Sequence, residues 1–313
     1  MKELITILLL LLFLNNCSLN SKSSFWSKKK DIVKVKDSIK KEIFKKDKAS
    51  TKEFNHDLKI NLNSKLVNNS FINNFDNNNG RINYNGKLKK SSKYSFSKII
   101  NFHEFEPEII FQNDNIIFFD KKGSLIKFDN SSNLIWKKNY YNKSEKKLSP
   151  ILFLASNNDT LVVADNITKY YAINVNNGEL LWSKNNSSGF NSQIKIFNDK
   201  FFAIDFENIL RCFSIKDGTE LWKVKTEKIL LTSQKKLSMI IINDKVIFNN
   251  SIGDVTAVDI NSGNLVWVAP TQSGSASQRS FFLKTSDLIG NNKFVLLSNN
   301  KNEFFSLDIN TGT

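Results

Sequence analysis

From about Phe105 onward, apolar positions fall in short runs bounded by Asn, Asp, Gly and Ser. "ILFLAS" is followed by "DTLVVAD", "SQIKIF" by "NDKFFAID", and "LSMIII" by "NDKVIFNN". Runs this short, with turn residues on both sides, read as strands, because a helix needs a longer periodic stretch. Each pair leads into a third, alternating run: "YYAINV", "LRCFSI" or "VTAVDI". In the last of these, Thr256, Val258 and Ile260 are set against Val255, Ala257 and Asp259, the two-residue period of a half-buried strand. A polar turn and a fourth short run follow, and the fourth run ends on Trp.

The same phrase recurs. Trp136, Trp182, Trp222 and Trp267 close four copies and are separated by 46, 40 and 45 residues. The turns before the last three carry Gly178, Gly218 and Gly263, and a further copy, "EFFSLDINTGT", carries Gly312. Glycine reaches positive φ without a Cβ clash, and the Asn or Asp nearby tolerates such turns. Four strands in about 40–45 residues is the size of one propeller blade. A single four-stranded sheet cannot bury both faces alone. A large flat side chain at a fixed position therefore suits the gap between neighbouring sheets. The pattern predicts an all-β chain, a β-propeller of four-stranded antiparallel blades, with about four complete blades and a partial one. Three strands are expected within Glu106–Asp129, full blades at Pro150–Lys184, Gln193–Thr226 and Leu237–Val268, and a last one from near Phe281. A β-sandwich with chance similarities is the competing architecture.

The wording Ala-Ile/Leu-Asp-x-x-Ser/Thr-Gly-x-x-x-Trp, clearest in "TAVDINSGNLVW", resembles the repeat of the PQQ-like, quinoprotein-type β-propellers. Over roughly Phe105–Thr313 the chain is most similar to the BamB family, the lipoproteins of the outer-membrane β-barrel assembly machinery. That resemblance implies eight blades, so the expectation is an open arc, incomplete at its C-terminal end. It implies a non-enzymatic scaffold without cofactor. Its partners would be the POTRA domains of a BamA-like outer-membrane assembly protein and unfolded outer-membrane proteins. The family's contact loops correspond to Lys228–Lys236 and Leu283–Leu288, with Leu231 and Asp287 the matching residues. Leu231 also reads as a blade-core leucine, and Asp287 as a turn residue. Two other classes share the repeat: propellers that bind another periplasmic protein or a polysaccharide, and PQQ-dependent dehydrogenases. The latter would need an Asp base, calcium ligands and often a vicinal disulfide. Adjacent cysteines are absent, and Asp165, Asp205, Asp259 and Asp308 fall mostly at repeat-equivalent turns, so they read as structural.

The N-terminus adds a second layer. Lys2 followed by the apolar Ile5–Leu14 reads as a secretory signal, too short to span a bilayer comfortably. Cys17 directly after it resembles a bacterial lipobox, and Ser18 behind it favours the outer membrane in that logic. Asn15 and Asn16 stand where small residues are usual. A plain signal peptide or membrane anchor is the other reading. The domain expectation is a signal at 1–17, a basic Lys/Asn-rich tether at 18–80 and the propeller at 81–313. The net charge of +15 is concentrated early, with 20 basic against 7 acidic residues over Ser18–Ile100 and 24 against 22 thereafter. In the tether, Ile32, Val35, Ile39 and Ile43 follow helical spacing, so it reads either as a solvated linker or as a basic amphipathic helix. No nucleic-acid partner is expected, since the chain matches no such module and reads as secreted. Cys212 reads as a small buried apolar residue, and His56 and His103 show no metal-ligand spacing.

Overall fold

The computed structural model describes residues 93–95, 97–99, 109–112, 115–157, 159–227, 235–272 and 285–313. The expected signal and tether, with Cys17, lie outside them, and so does Leu231.

The described strands form five antiparallel sheets, each a meander in chain order. The first holds β1 (Ile110–Gln112), β2 (Asn115–Phe119), β3 (Leu125–Phe128) and β4 (Leu134–Lys138). The second holds β5 (Leu152–Asn157), β6 (Thr160–Asp165), β7 (Lys169–Asn174) and β8 (Leu180–Asn185). The third holds β9 (Lys195–Phe197), β10 (Lys200–Ile204), β11 (Ile209–Ser214) and β12 (Glu220–Lys225). The fourth holds β13 (Met239–Ile242), β14 (Lys245–Asn249), β15 (Asp254–Asp259) and β16 (Leu265–Pro270). The fifth has three strands, β17 (Ile289–Gly290), β18 (Phe294–Ser298) and β19 (Phe304–Asp308). Successive sheets touch through their first strands: β1 with β5, β5 with β9, β9 with β13, and β13 with β17. This is the expected open arc of propeller blades, with the first strand of each blade innermost.

Burial corrects one detail of the sequence reading. The third strands of the first four blades are not half-buried. In β15 every residue from Asp254 to Val258 is buried, because a sheet lies against each face. Alternation is clear in the outer, fourth strands: β12 alternates partly buried and exposed residues, and β16 exposes all but Trp267 and Ala269. Between the second and third blades the core is largely aromatic. Tyr170 lies 4.8 Å from Phe213, and the Phe201 and Phe213 rings stack at 4.9 Å.

The tryptophans sit on these seams. Each indole projects from the fourth strand of one blade onto the turn glycine of the next. A Cβ on Gly218 would lie 2.6 Å from Trp182, one on Gly263 2.7 Å from Trp222, and one on Gly312 2.6 Å from Trp267. Gly178 faces Trp136 at 3.2 Å. All four glycines have φ between 68° and 74°. Glycine is therefore required twice over, for the left-handed backbone and for the ring above it. Three indoles also donate across the seam: Trp136 Nε1 to Val175 O at 3.2 Å, Trp182 to Ile215 O at 2.8 Å and Trp267 to Ile309 O at 3.0 Å. Trp222 Nε1 is buried and has no such partner.

Within its own blade each Trp pairs across from Lys127, Ala172, Cys212 or Ala257, and a bulge follows directly. The bulge leaves Ile135, Leu181, Leu221 or Val266 as the extra residue, turned to solvent. Cys212 thus fills the place of an alanine, fully buried, and burial pushes its thiol up to about 12.

Gly218→Ala is expected to destabilise the protein by about 2–4 kcal/mol, the sum of a left-handed alanine and an overpacked seam, read as a lower denaturant midpoint. Trp182→Phe is expected to cost more than Trp222→Phe. The first leaves the Ile215 carbonyl unpaired, whereas the second removes a buried donor that has no acceptor. Equal losses in parallel urea titrations would contradict this assignment.

Candidate partner-binding face

A meander sends its second-to-third turn and its link to the next blade to the same end of the sheet. That end carries Asp287, in the link before β17, and the described part of the Lys228–Lys236 loop, in the link before β13.

The second-to-third turns are built alike. Each starts with Asp or Asn, whose Oδ1 accepts backbone N–H groups two to four residues on. Asp120 accepts from Lys122 and Ser124, and Asp165 from Ile167, Thr168 and Lys169. Asp205 accepts from Glu207 and Ile209. Asn250 accepts from Ile252 and Asp254, and Asn299 from Lys301 and Glu303. Asp259 and Asp308 do the same in the glycine turns at the opposite end.

The second carboxylate oxygens differ from blade to blade. Asp120 Oδ2 pairs with Lys137 at 2.8 Å. Burial alone would raise the Asp120 carboxyl, but Lys137 and the turn amides more than offset it, and the net shift is downward. Asp165 Oδ2 accepts from the Tyr141 hydroxyl at 2.8 Å. Among the described residues no cation pairs with it, so burial prevails and its pKa is raised above 3.8. Asp205 Oδ2 receives Arg211 Nε at 2.8 Å, and the same guanidinium reaches Glu220 and Ser187. Arg211 and Asp205 are both buried, so losing either would strand the other's charge.

The links between blades are also tied together. Gln193, just before β9, donates from Nε2 to Asp287 Oδ2 at 3.2 Å. Its Oε1 accepts from Met239 N at 3.1 Å and Ser238 Oγ at 3.4 Å, and Ser238 Oγ accepts from Leu288 N at 2.9 Å. One amide side chain therefore joins the approaches to the third, fourth and fifth blades. Asn191 Nδ2 donates to Lys235 O at 2.9 Å and fixes the described end of the Lys228–Lys236 loop. Asp287 is half-buried, and its carboxylate is held by Gln193 instead of capping a turn as Asp165 does.

Sequence reading did not single out Gln193, and nothing in a single glutamine announces such a role. It also missed α1 (Lys143–Lys147), a short helix in the link between the first two blades. That one was legible: Asn142 and Glu145 form a capping box, the polar-x-x-Glu pattern that starts a helix.

The raised pKa of Asp165 sets a testable pH dependence. A carboxyl that binds its proton more tightly when folded contributes stability that is complete below pH 3.8 and lost as pH rises through the folded value. Asp165→Asn keeps the amide-accepting oxygen, as Asn250 and Asn299 do in their blades. It is expected to gain in melting temperature on the unsubstituted protein as pH rises through that window. A constant difference across pH would refute the assignment.

Among the described residues, no helix is long and apolar enough to cross a membrane. Curated protein sequences give no match. Many solved structures are similar in fold, the following two among them. One is BamB from Moraxella catarrhalis, at 15% identity and a TM-score of 0.53, covering 67% of this chain and 63% of that one. The other is the quinohemoprotein alcohol dehydrogenase ADHIIG from Pseudomonas putida HK5, at 14% identity and 0.52, covering 72% and 42%. The chain thus spans less than two thirds of the length of either. Residues 121–313, most of the chain and four of its five sheets, match the family described as outer membrane protein assembly factor BamB, and the chain belongs to that family.

Proposed function

We propose that the protein is a non-enzymatic scaffold of outer-membrane protein assembly, held at the periplasmic face of the outer membrane by a lipid on Cys17. Its link-bearing face would bind the POTRA domains of a BamA-like protein and help deliver unfolded outer-membrane proteins. The observation that carries this reading is the Gln193–Asp287 tie. It brings the fifth-blade approach, with Asp287, against the third- and fourth-blade approaches, which flank the loop that contains Leu231. The described ends of the two loops singled out by the resemblance, at Lys235 and Asp287, are held by Asn191 and Gln193 of one segment, which supports this reading.

The similarity to a quinohemoprotein dehydrogenase supports a second reading, and the side chains argue against it. A quinone and its calcium ion need uncommitted carboxylates and amides. Here Asp165 and Asp205 spend both oxygens on turn amides, Tyr141 and Arg211. Among the described residues, no group of three His, Cys, Asp or Glu side chains is placed to hold a metal. The residues do not fit that cofactor.

The test is association of the full chain with its BamA-like partner, measured by co-purification and titration. Asp287→Lys and Leu231→Asp are each expected to weaken binding about tenfold or more, as removing a central interface contact does. Gln193→Ala is expected to weaken it less, by freeing Asp287 without removing it. Lys216→Glu, at the opposite end of the third blade, is expected to change nothing. Absence of association with the unsubstituted chain would reject the scaffold reading.

A further inference from the structure

We infer that the corner of the link-bearing face at the first two blades docks onto anionic phospholipid headgroups. This goes beyond the scaffold reading and does not depend on it.

The charges are drawn together by packing. The turn holding Lys121 and Lys122 is pressed against the link that carries α1. A Cβ on Gly123 would meet Tyr141 and Pro150 at 2.7 Å, and Asn139 Nδ2 donates to Lys122 O at 3.0 Å. On α1 itself stand Lys143, Lys146 and Lys147, and the helix has no buried residue. Three carboxylates lie in this corner, and all are already engaged: Asp120 with Lys137 and Glu145 with Lys169, each at 2.8 Å, and the fully buried Asp165 with the Tyr141 hydroxyl. Among the described residues no ion pair involves Lys121, Lys122, Lys143, Lys146 or Lys147. Five uncompensated cations therefore share one corner. Leu148 sits among them, 61% exposed, directly after the helix.

The chemistry selects the occupant. Every cation here is a lysine, a flexible hydrated point charge, and none is the forked arginine that reads a phosphate group bidentately. The aromatic side chains of the link face inward. The Tyr141 hydroxyl is spent on Asp165 and that of Tyr140 on Gly178 O, so no ring is presented for base stacking. Lysines spread around one exposed leucine match a surface of diffuse negative charge with an apolar layer beneath it.

The full chain, with an environment-sensitive fluorophore on Leu148→Cys, is incorporated into vesicles of mixed phosphatidylglycerol and phosphatidylcholine, or of phosphatidylcholine alone. A blue shift and quenching by lipid-attached bromine are expected on the mixed vesicles only, and high salt is expected to abolish both. Lys121→Glu with Lys122→Glu, or Lys143→Glu with Lys147→Glu, is expected to lower the bound fraction about tenfold, since each lysine near an anionic surface contributes to attraction. These positions are exposed, so an unchanged melting temperature confirms that the variants remain folded. Lys216→Glu is expected to leave the signal intact. Equal signals on both vesicle types, or equal loss with Lys216→Glu, would overturn the proposal. So would binding to soluble polyglutamate without lipid quenching, which would assign the corner to an acidic protein.

Discussion

The contact between an indole of one blade and a glycine turn of the next is the constraint from which the rest of the architecture follows. It fixes the distance between sheets and forbids a side chain at four positions. It also makes each blade depend on its neighbour in chain order. Because the ring comes from the outer strand and the turn from the adjacent sheet, no blade completes its own core. Stability in such an array is close to a sum over neighbouring pairs, as in other repeat architectures. The third seam departs from the pattern, since Trp222 covers its glycine but its indole N–H finds no acceptor.

Much of this was legible in the sequence, because the repeat encodes backbone geometry. The Gly-to-Trp spacing identified the hairpins, and blade limits such as Gln193–Thr226 agree closely with β9 to β12. What the sequence concealed was the direction of the Trp. Its glycine looked like a turn residue of the same hairpin, whereas the ring it avoids belongs to the preceding blade. The apparent alternation of Val255–Ile260 misled for a related reason. Thr256 is buried although it is polar, because the sheet is covered on both faces. The candidate contact residues were less legible still. Asp287 came from the family resemblance, and Gln193, which holds it, became visible only when three approaches that are distant in sequence met.

The two ends of the sheets do different work. At one end, tight glycine turns lie under tryptophan rings, and there is little room for variation. At the other, links of unequal length leave each blade by their own route, one of them through a short capped helix. Loops on a rigid base can change without disturbing the base, which is how one fold comes to serve scaffolds and oxidoreductases alike. The similarity in fold to both BamB and an alcohol dehydrogenase is an instance of that separation.

The divided use of the turn carboxylates has a consequence for how such a chain reaches its native form. Arrays of near-identical units risk pairing with the wrong copy while they fold. Here one oxygen of each acid performs the same local task everywhere, so it cannot tell copies apart. The other oxygen recognises a lysine, a phenol or a guanidinium according to the blade. Each of the first three repeats in this way carries a private lock beside the common one, and a misplaced blade would find its key missing.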